Sequence, residues 1–466
     1  MKLIYGIKDK PPFGKLVLFS LQQLLSIVAA TILVPMLVNA NGGEANGVVL
    51  STSSALLGAG LGTFVYLLFT KGKSPVFLGS SFAFLGALYA ATANGYMGIL
   101  LGAILAGLVY VIIAIVVKIS GTKWISKLLP PVIIGPTVAL IGLSLAGSAI
   151  NNVQNTAVST ANYNLIHILC ALITFAATVI ASCYGKKTLK MIPFIIGIGA
   201  GYVTSVIFTL IGNAANIPYL QIVDFSAFNG YLTDFSIKSI ISVPDNIVLF
   251  KAIGEMKAFD WANVASIALL FMPVAFVVLA EHIADHKNLS FILSDGDNQV
   301  DLLEEPGLTR TLLGDGVGSM VGTLFGCCPN TTYGESVGCV AITKNASVYS
   351  IIGAAIMAII VAFITPFELF VATIPGCVVG GISVALYGFI AVSGLKMIQK
   401  VDLNQNKNLF VVAAILIPGI GGLTLNFGGD DPFNAPIIKI TNIAVALILG
   451  IIVNAIVSKA KADEQA

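Results

Sequence analysis

Runs of about twenty apolar residues, each long enough as a helix to cross a hydrocarbon core of about 30 Å, recur along this chain from end to end. That feature excludes a water-soluble globule: a chain of 466 residues that is 57% hydrophobic and only 10% charged has too little polar surface to cover such runs. Mean hydropathy is +0.96. Net charge is only +2 and the cationic residues sit in short loops between the runs, so a nucleic acid finds no basic footprint. The opening stretch, "MKLIYGIKDKPPFGK", is basic, but the apolar run behind it is a full span without a cleavage signature and reads as span 1 rather than a signal peptide. Cysteines 170, 183, 327, 328, 339 and 377 show no metal-ligand spacing and read as packing residues.

Fourteen apolar segments are expected, at 16–38, 48–70, 75–91, 97–117, 128–148, 164–184, 191–213, 262–286, 309–326, 331–343, 349–367, 370–395, 408–422 and 437–457. With the N-terminus in the cytoplasm, the inside loops hold all but Lys238, Lys251, Lys257 and Lys439 of the 24 basic residues. The bias alternates loop by loop, which places both termini in the cytoplasm. The longest connection, 214–261, lies outside and divides the chain into 1–213 and 262–458, with a cytoplasmic tail at 459–466. Seven spans per half means that the second half enters the membrane from the opposite face. Short echoes between "TILVP" and "LLFMP", and between "GSSFAFLGAL" and "YGESVGCVAI", fit an inverted repeat with a binding site at the repeat interface.

Segments 3 and 10 are broken. "SPVFLGSSFAFLGALYAA" begins at Ser74-Pro75 and carries Gly79-Ser80-Ser81, and "CCPNTTYGESVGCVAITK" carries Pro329, Gly334 and Gly338. Pro removes a donor and Gly weakens a helix interior. "VFLG" and "NTTYG" therefore read as short extended stretches, each leading into a half-helix. Such backbone survives at membrane depth only where protein buries it or a polar cavity borders it, and its free amides then suit a ligand. The glycines of "GAGLG" in span 2, by contrast, read as close helix packing.

"LAEHIADH", residues 279–286, follows an apolar run and carries Glu281, His282, Asp285 and His286, with two of the chain's three histidines. Glu281 and Asp285 are one helical turn apart and share a face. A mid-span carboxylate is costly and marks a functional site by default. Both acids are expected to face a cavity bounded by the broken segments, with Glu335 opposite; the plainer alternative is an acid that only pairs with a neighbour to hold the bundle. His282 and His286 point elsewhere, with His286 expected at the membrane interface beside Lys287. Asp315, in "LLGDGVGS", is open between a polar network and helix packing. Carboxylates with free backbone donors between them suit a small planar ligand bearing both N–H donors and carbonyl acceptors, the pattern of uracil. Phe82 and Tyr333 would supply apolar walls. The pair Glu281 and Asp285 is the expected site of proton coupling.

At these residues the chain resembles the nucleobase–ascorbate transporter family, the nucleobase:cation symporters, and within it the bacterial uracil permeases. "LQQLLSIVAATILVP", "FLGSSFAF", "MPVAFVVLAEHIADH", "EEPGLTRTLLGDGVGSMVGTLFG", "CPNTTYGESVGCVAITK" and "GGISVALYGFIAVSGL" carry the likeness in the family's order over nearly the whole length. The resemblance implies an all-α polytopic protein of the cytoplasmic (inner) membrane, fourteen spans in two inverted repeats of seven. Spans 1–4 and 8–11 would form a mobile core domain. Spans 5–7 and 12–14 would form a gate domain that also makes a homodimer. It implies that Glu281 and Glu335 hydrogen-bond the nucleobase, that the amides of Phe82 and Gly334 approach its carbonyls, that Tyr333 lines the pocket, and that Tyr387 and Ala30 lie close by. It also implies import of uracil with protons as the coupling ion, no cofactor, and lipid as the surrounding partner. Two positions depart from the pattern: uracil permeases often have His where this chain has Asp285, as purine-transporting members have Asp, and the signature usually has Asn where this chain has Ser336.

The alternative within the family is a xanthine or urate symporter, against which Glu335 speaks, since purine members commonly carry Gln there. An anion carrier of similar fold is disfavoured by two pocket carboxylates. An enzyme would need a nucleophile–base pair or a metal cluster, and the sequence offers neither pattern. A scaffold has no use for Glu335 in a broken span.

Overall fold

The computed structural model describes residues 3–154, 164–186, 188–229, 231, 237–295, 299–326, 328–428 and 438–458. Lys2, Lys187, Cys327 and the tail 459–466, with Lys459 and Lys461, lie outside the described residues. The first half supplies helices α1 (Phe13–Val38), α2 (Thr52–Phe69), α3 (Leu85–Ala91), α4 (Gly95–Ser120), α5 (Pro131–Ser144), α6 (Leu165–Tyr184) and α7 (Pro193–Ala215). The second supplies α8 (Val264–Leu293), α9 (Leu308–Phe325), α10 (Gly334–Thr343), α11 (Val348–Ala362), α12 (Gly376–Ile398), α13 (Asn406–Ile420) and α14 (Asn442–Val457). Among the described residues, eight helical stretches are long and apolar enough to cross a membrane. α11, α13 and α14 are apolar but shorter.

Local chemistry sets the helix ends. Ser51 caps α2 by accepting from the Ser54 amide, the Asn164 side chain caps α6, and Thr441 caps α14. Pro131 and Pro193 open α5 and α7 at the first turn, where a missing N–H costs nothing.

Three boundaries differ from the apolar pattern. α8 continues seven residues past the expected end at 286, because Leu289, Ile292 and Leu293 are buried although Lys287 and Asn288 interrupt the apolar run. The expected segment 370–395 is divided at Pro375 into a short helix, Thr365–Ala372, and α12. The segment expected at 128–148 is α5 followed by a separate helix, Ala146–Gln154.

The helices pack in two groups. In one, α9 lies against both α2 and α4, α8 against α4, and α11 against α1 and α2. In the other, α12 packs on α5 and α6, α7 on α6, and α13 and α14 on α5 and on each other. In the first group the backbones of α2 and α9 touch: a Cβ at Gly58 would lie 2.1 Å from the Gly322 carbonyl oxygen, and one at Gly62 would lie 2.7 Å from that of Gly318. "GAGLG" is thus a close-packing stretch, as its composition suggests.

Strands β1 (Leu78–Ser80) and β2 (Asn330–Thr332), one from each half, pair antiparallel inside the first group, with Leu78 opposite Thr332 and Ser80 opposite Asn330. A second hairpin, β3 (Leu425–Phe427) with β4 (Ile438–Ile440), joins α13 to α14. Within the long connection, helix Val248–Glu255 packs on α4, and Glu255 accepts a hydrogen bond from the Met97 amide in the first turn of α4. Cys170, Cys328, Cys339 and Cys377 are buried and Cys183 is exposed.

Candidate functional site

Both broken segments fold as strand followed by half-helix, as their Gly and Pro content predicts. A web of polar contacts holds the unpaired backbone. Thr63 Oγ1 of α2 accepts from the Leu78 amide at 3.0 Å. The Ser336 hydroxyl accepts from the Phe77 amide at 3.1 Å and donates to Gln23 Oε1 of α1 at 3.1 Å, so this departure from the family pattern has a structural partner in α1. The Tyr333 amide donates to the Phe77 carbonyl at 3.1 Å, and Tyr333 Oη donates to the Ser80 carbonyl at 2.8 Å. Only a glycine fits at 79, since a Cβ there would lie 2.4 Å from the Tyr333 ring.

Past the strands the chain turns into a 3-10 turn, Phe82–Phe84, and into α10. Neither start has a side-chain bond from its cap residue; the Ser336 and Phe84 amides turn back to the Tyr333 and Ser81 carbonyls and the Glu335 amide meets its own carboxylate, while the Phe82 and Gly334 amides have no intrahelical acceptor. These ends carry the positive pole of the half-helix and suit an electron-rich ligand atom.

α8 divides its ionisable residues between two faces. Glu281 and Asp285 line a cavity, and Asp285 Oδ2 accepts from Thr332 Oγ1 of β2 at 3.1 Å. His282 and His286 face the interior of the first helix group. His282 Nδ1 lies 2.7 Å from Asp315 Oδ2 with both residues buried, which resolves Asp315 as part of a polar network. The expectation that His286 sits at the membrane interface beside Lys287 is corrected: its relative exposure is 0%, and it contacts Tyr66, Ser74 and the His282 carbonyl. Lys287 is exposed, but the helix turns the preceding ring inward, about 100° away around the axis.

The cavity, about 390 Å³, lies between the two helix groups. Its polar side is Glu281, Asp285, Thr331 and Glu335, beside Phe82, Ala83, Tyr333 and Gly334. Its mostly apolar side is Val138 and Ile141 of α5, Phe194 of α7, and Leu386, Phe389 and Ile390 of α12, with Ser393 of α12 the polar exception. Of the residues singled out from sequence, Glu281, Asp285, Glu335, Phe82, Tyr333 and Gly334 line it. Tyr387 does not; it is buried and its ring meets Phe82 edge to face at 6.3 Å. Ala30 is buried in α1, and its neighbour Thr31 places Oγ1 3.4 Å from Tyr333 Oη. The apolar side was not anticipated, because a Leu or Phe in an apolar helix carries no mark of the face it presents. Chemically, the cavity offers two Glu carboxylates that no other side chain engages among the described residues, two uncapped backbone ends, and aromatic walls. Among the described residues, no group of three or more His, Cys, Asp or Glu could hold a metal ion.

Comparison with known proteins gives a consistent result. A model described as a permease family matches residues 14–427. The uracil permease of Bacillus caldolyticus is 37% identical over 458 residues, covering 98% of this chain and 95% of that protein. The uracil permease of Bacillus subtilis (strain 168) is 36% identical over 472 residues, covering 100% and 97%. That of Escherichia coli (strain K12) is 32% identical over 449 residues, covering 96% and 94%. Among solved structures, the fold is similar to murine Slc26a9, an anion transporter in the inward-facing state, with TM-score 0.62 and 11% identity over 97% of this chain and 69% of that one. It is also similar to the transmembrane domain of the cyanobacterial bicarbonate transporter BicA, with TM-score 0.58 and 15% identity over 97% and 100%. The match over most of the length, together with broken spans that carry Glu335 and a helix that carries Glu281, establishes that the chain is a multi-pass membrane protein of the nucleobase–ascorbate transporter family.

Proposed function

We propose that the protein is a secondary active transporter that imports uracil together with a proton. The carrying observation is the cavity itself: Glu281 and Glu335 offer acceptors for ring N–H groups, and the uncapped ends at Phe82 and Gly334 offer donors for carbonyls. Uracil has two of each. Phe82 and Tyr333 supply flat apolar contact. The full-length relatives named uracil permease support the same substrate.

In this reading the first helix group, with both broken segments, is a mobile core domain that carries the ligand. The second group is a gate domain that presents the apolar wall and joins two copies in a homodimer. Across the cavity the largely apolar lining of the second group opposes the carboxylates of the first, which suits movement of one body against the other, the elevator form of alternating access. One strand from each half, paired antiparallel, supports fourteen spans in two inverted repeats of seven. Loop charge supports insertion in the cytoplasmic membrane with both termini inside. Glu281 and Asp285, one turn apart on the cavity face, carry the coupled proton.

Asp285 favours a second reading, a xanthine or urate symporter. Radiolabelled uracil uptake in cells lacking nucleobase transport separates the two. Competition by excess uracil but not by xanthine or adenine is expected. Equal or stronger competition by xanthine makes the protein a purine carrier, and absence of any uptake removes the transport reading.

A further inference from the structure

On the side of α8 that faces away from the cavity lies a buried polar cluster none of whose residues lines the cavity. His286 Nδ1 is 2.7 Å from the His282 carbonyl oxygen, and His286 Nε2 is 2.6 Å from Tyr66 Oη and 3.2 Å from Ser74 Oγ. The two hydroxyls are 2.7 Å apart, and all three residues are fully buried. A carbonyl oxygen only accepts, so Nδ1 carries a proton. With a neutral ring, one hydroxyl proton goes to Nε2 and the other joins the two hydroxyls. With a charged ring the direction reverses and the three contacts persist. The titratable groups around the ring are Tyr66 of α2, His282 and Asp285 of its own helix, and Asp315 of α9, which holds His282.

These contacts close a loop with the cavity. Ser74 begins the extended stretch that becomes β1, and Leu78 of β1 pairs with Thr332 of β2. Thr332 donates to Asp285, the residue next to His286. Two routes therefore join α8 to the paired strands: Asp285 through Thr332, and His286 through Tyr66 and Ser74. A change at Asp285 can move strand against helix only to the extent that the second route holds the reference point.

We propose that His286 is a positioning residue for proton coupling: clamped by Tyr66 and Ser74, it fixes α8 against the paired strands, so that loading Asp285 with a proton is felt at the half-helix ends facing the ligand. The proposal rests on the proton-coupled reading of the cavity. His286 touches no ligand, so its loss should leave affinity largely intact and weaken the link between gradient and accumulation.

The test uses the full-length protein in proteoliposomes with radiolabelled uracil and an imposed gradient, acid outside. Tyr66→Phe removes one oxygen and spares the fold. It is expected to keep the uracil Kd within about threefold of wild type, to lower the accumulation ratio about tenfold, and to flatten its dependence on outside pH. Ser74→Ala should act in the same direction. His286→Gln, which keeps an N–H donor and an acceptor, should recover part of the ratio that His286→Leu loses. Variants that lower thermal stability yet keep the wild-type ratio and pH profile would make His286 a packing residue and overturn the proposal. If His286→Leu does not fold, Tyr66→Phe alone decides. Wild-type protein whose accumulation ignores the gradient sinks the proton reading itself, and the two failures are distinguishable.

Discussion

Glu281 and Glu335 reach the cavity from different elements, one from an unbroken helix and one from the first turn of a half-helix. Replacing either by Gln keeps shape and removes the ionised acceptor, leaving a ligand N–H poorly paired in a dry site. Each substitution should cost about 1–3 kcal/mol of binding, roughly five- to 150-fold in Kd by titration calorimetry with uracil. Unchanged binding in either variant takes that residue out of the site. Asp285→Asn should behave differently, retaining measurable uracil binding while losing much of the pH-dependent accumulation. A wild-type pH profile in that variant makes Asp285 structural. These acids were legible because charge inside an apolar run has so few inexpensive explanations. The face turned by His286 was not, because proximity to Lys287 in sequence says nothing about direction around the helix. The apolar wall of Phe194, Leu386 and Phe389 was invisible for the complementary reason: its residues look like every other membrane-facing side chain.

The broken spans are the elements on which the site depends. Gly and Pro spacing was enough to read extended stretch and half-helix in both; β2 falls within the expected "NTTYG" stretch, and β1 runs one residue past "VFLG", to Ser80. What spacing could not supply is that the two strands pair with each other, since that contact spans about half the chain and depends on how α2 and α9 approach. At Gly79 the Tyr333 ring occupies the space of a Cβ. Gly79→Ala should therefore displace Tyr333 and the adjoining α10, at a cost of about 1–3 kcal/mol. The expected outcome is loss of uracil binding in protein that still enters the membrane, measured by calorimetry on purified protein. Full binding by this variant would mean that the strand and the ring can separate freely. Helix ends were read less well. α8 outlasts its apolar run because backbone hydrogen bonds and buried Leu289, Ile292 and Leu293 continue the helix where mean hydropathy falls.

At the scale of the whole molecule, loop charge predicts an orientation that can be checked directly. Reporter fusions after Lys73, Lys190 and Lys400 should read cytoplasm, and fusions near Asn152 and Asp245 should read the outside. A cytoplasmic signal at Asn152 overturns the arrangement of seven spans in each half. Sequence periodicity marks apolar segments but not their grouping, because most of their residues are apolar on every side and a long-range partner leaves no local trace. The grouping matters most for function, since it puts a polar wall on one body and an apolar wall on the other with the cavity between them. The central claim, that this cavity couples uracil to a proton, is tested most directly by uptake of labelled uracil into proteoliposomes as the outside pH is lowered. The account predicts accumulation that rises with the imposed gradient, is unchanged when sodium is replaced by potassium, and collapses on adding a protonophore. Uptake that follows sodium and ignores the protonophore would contradict it.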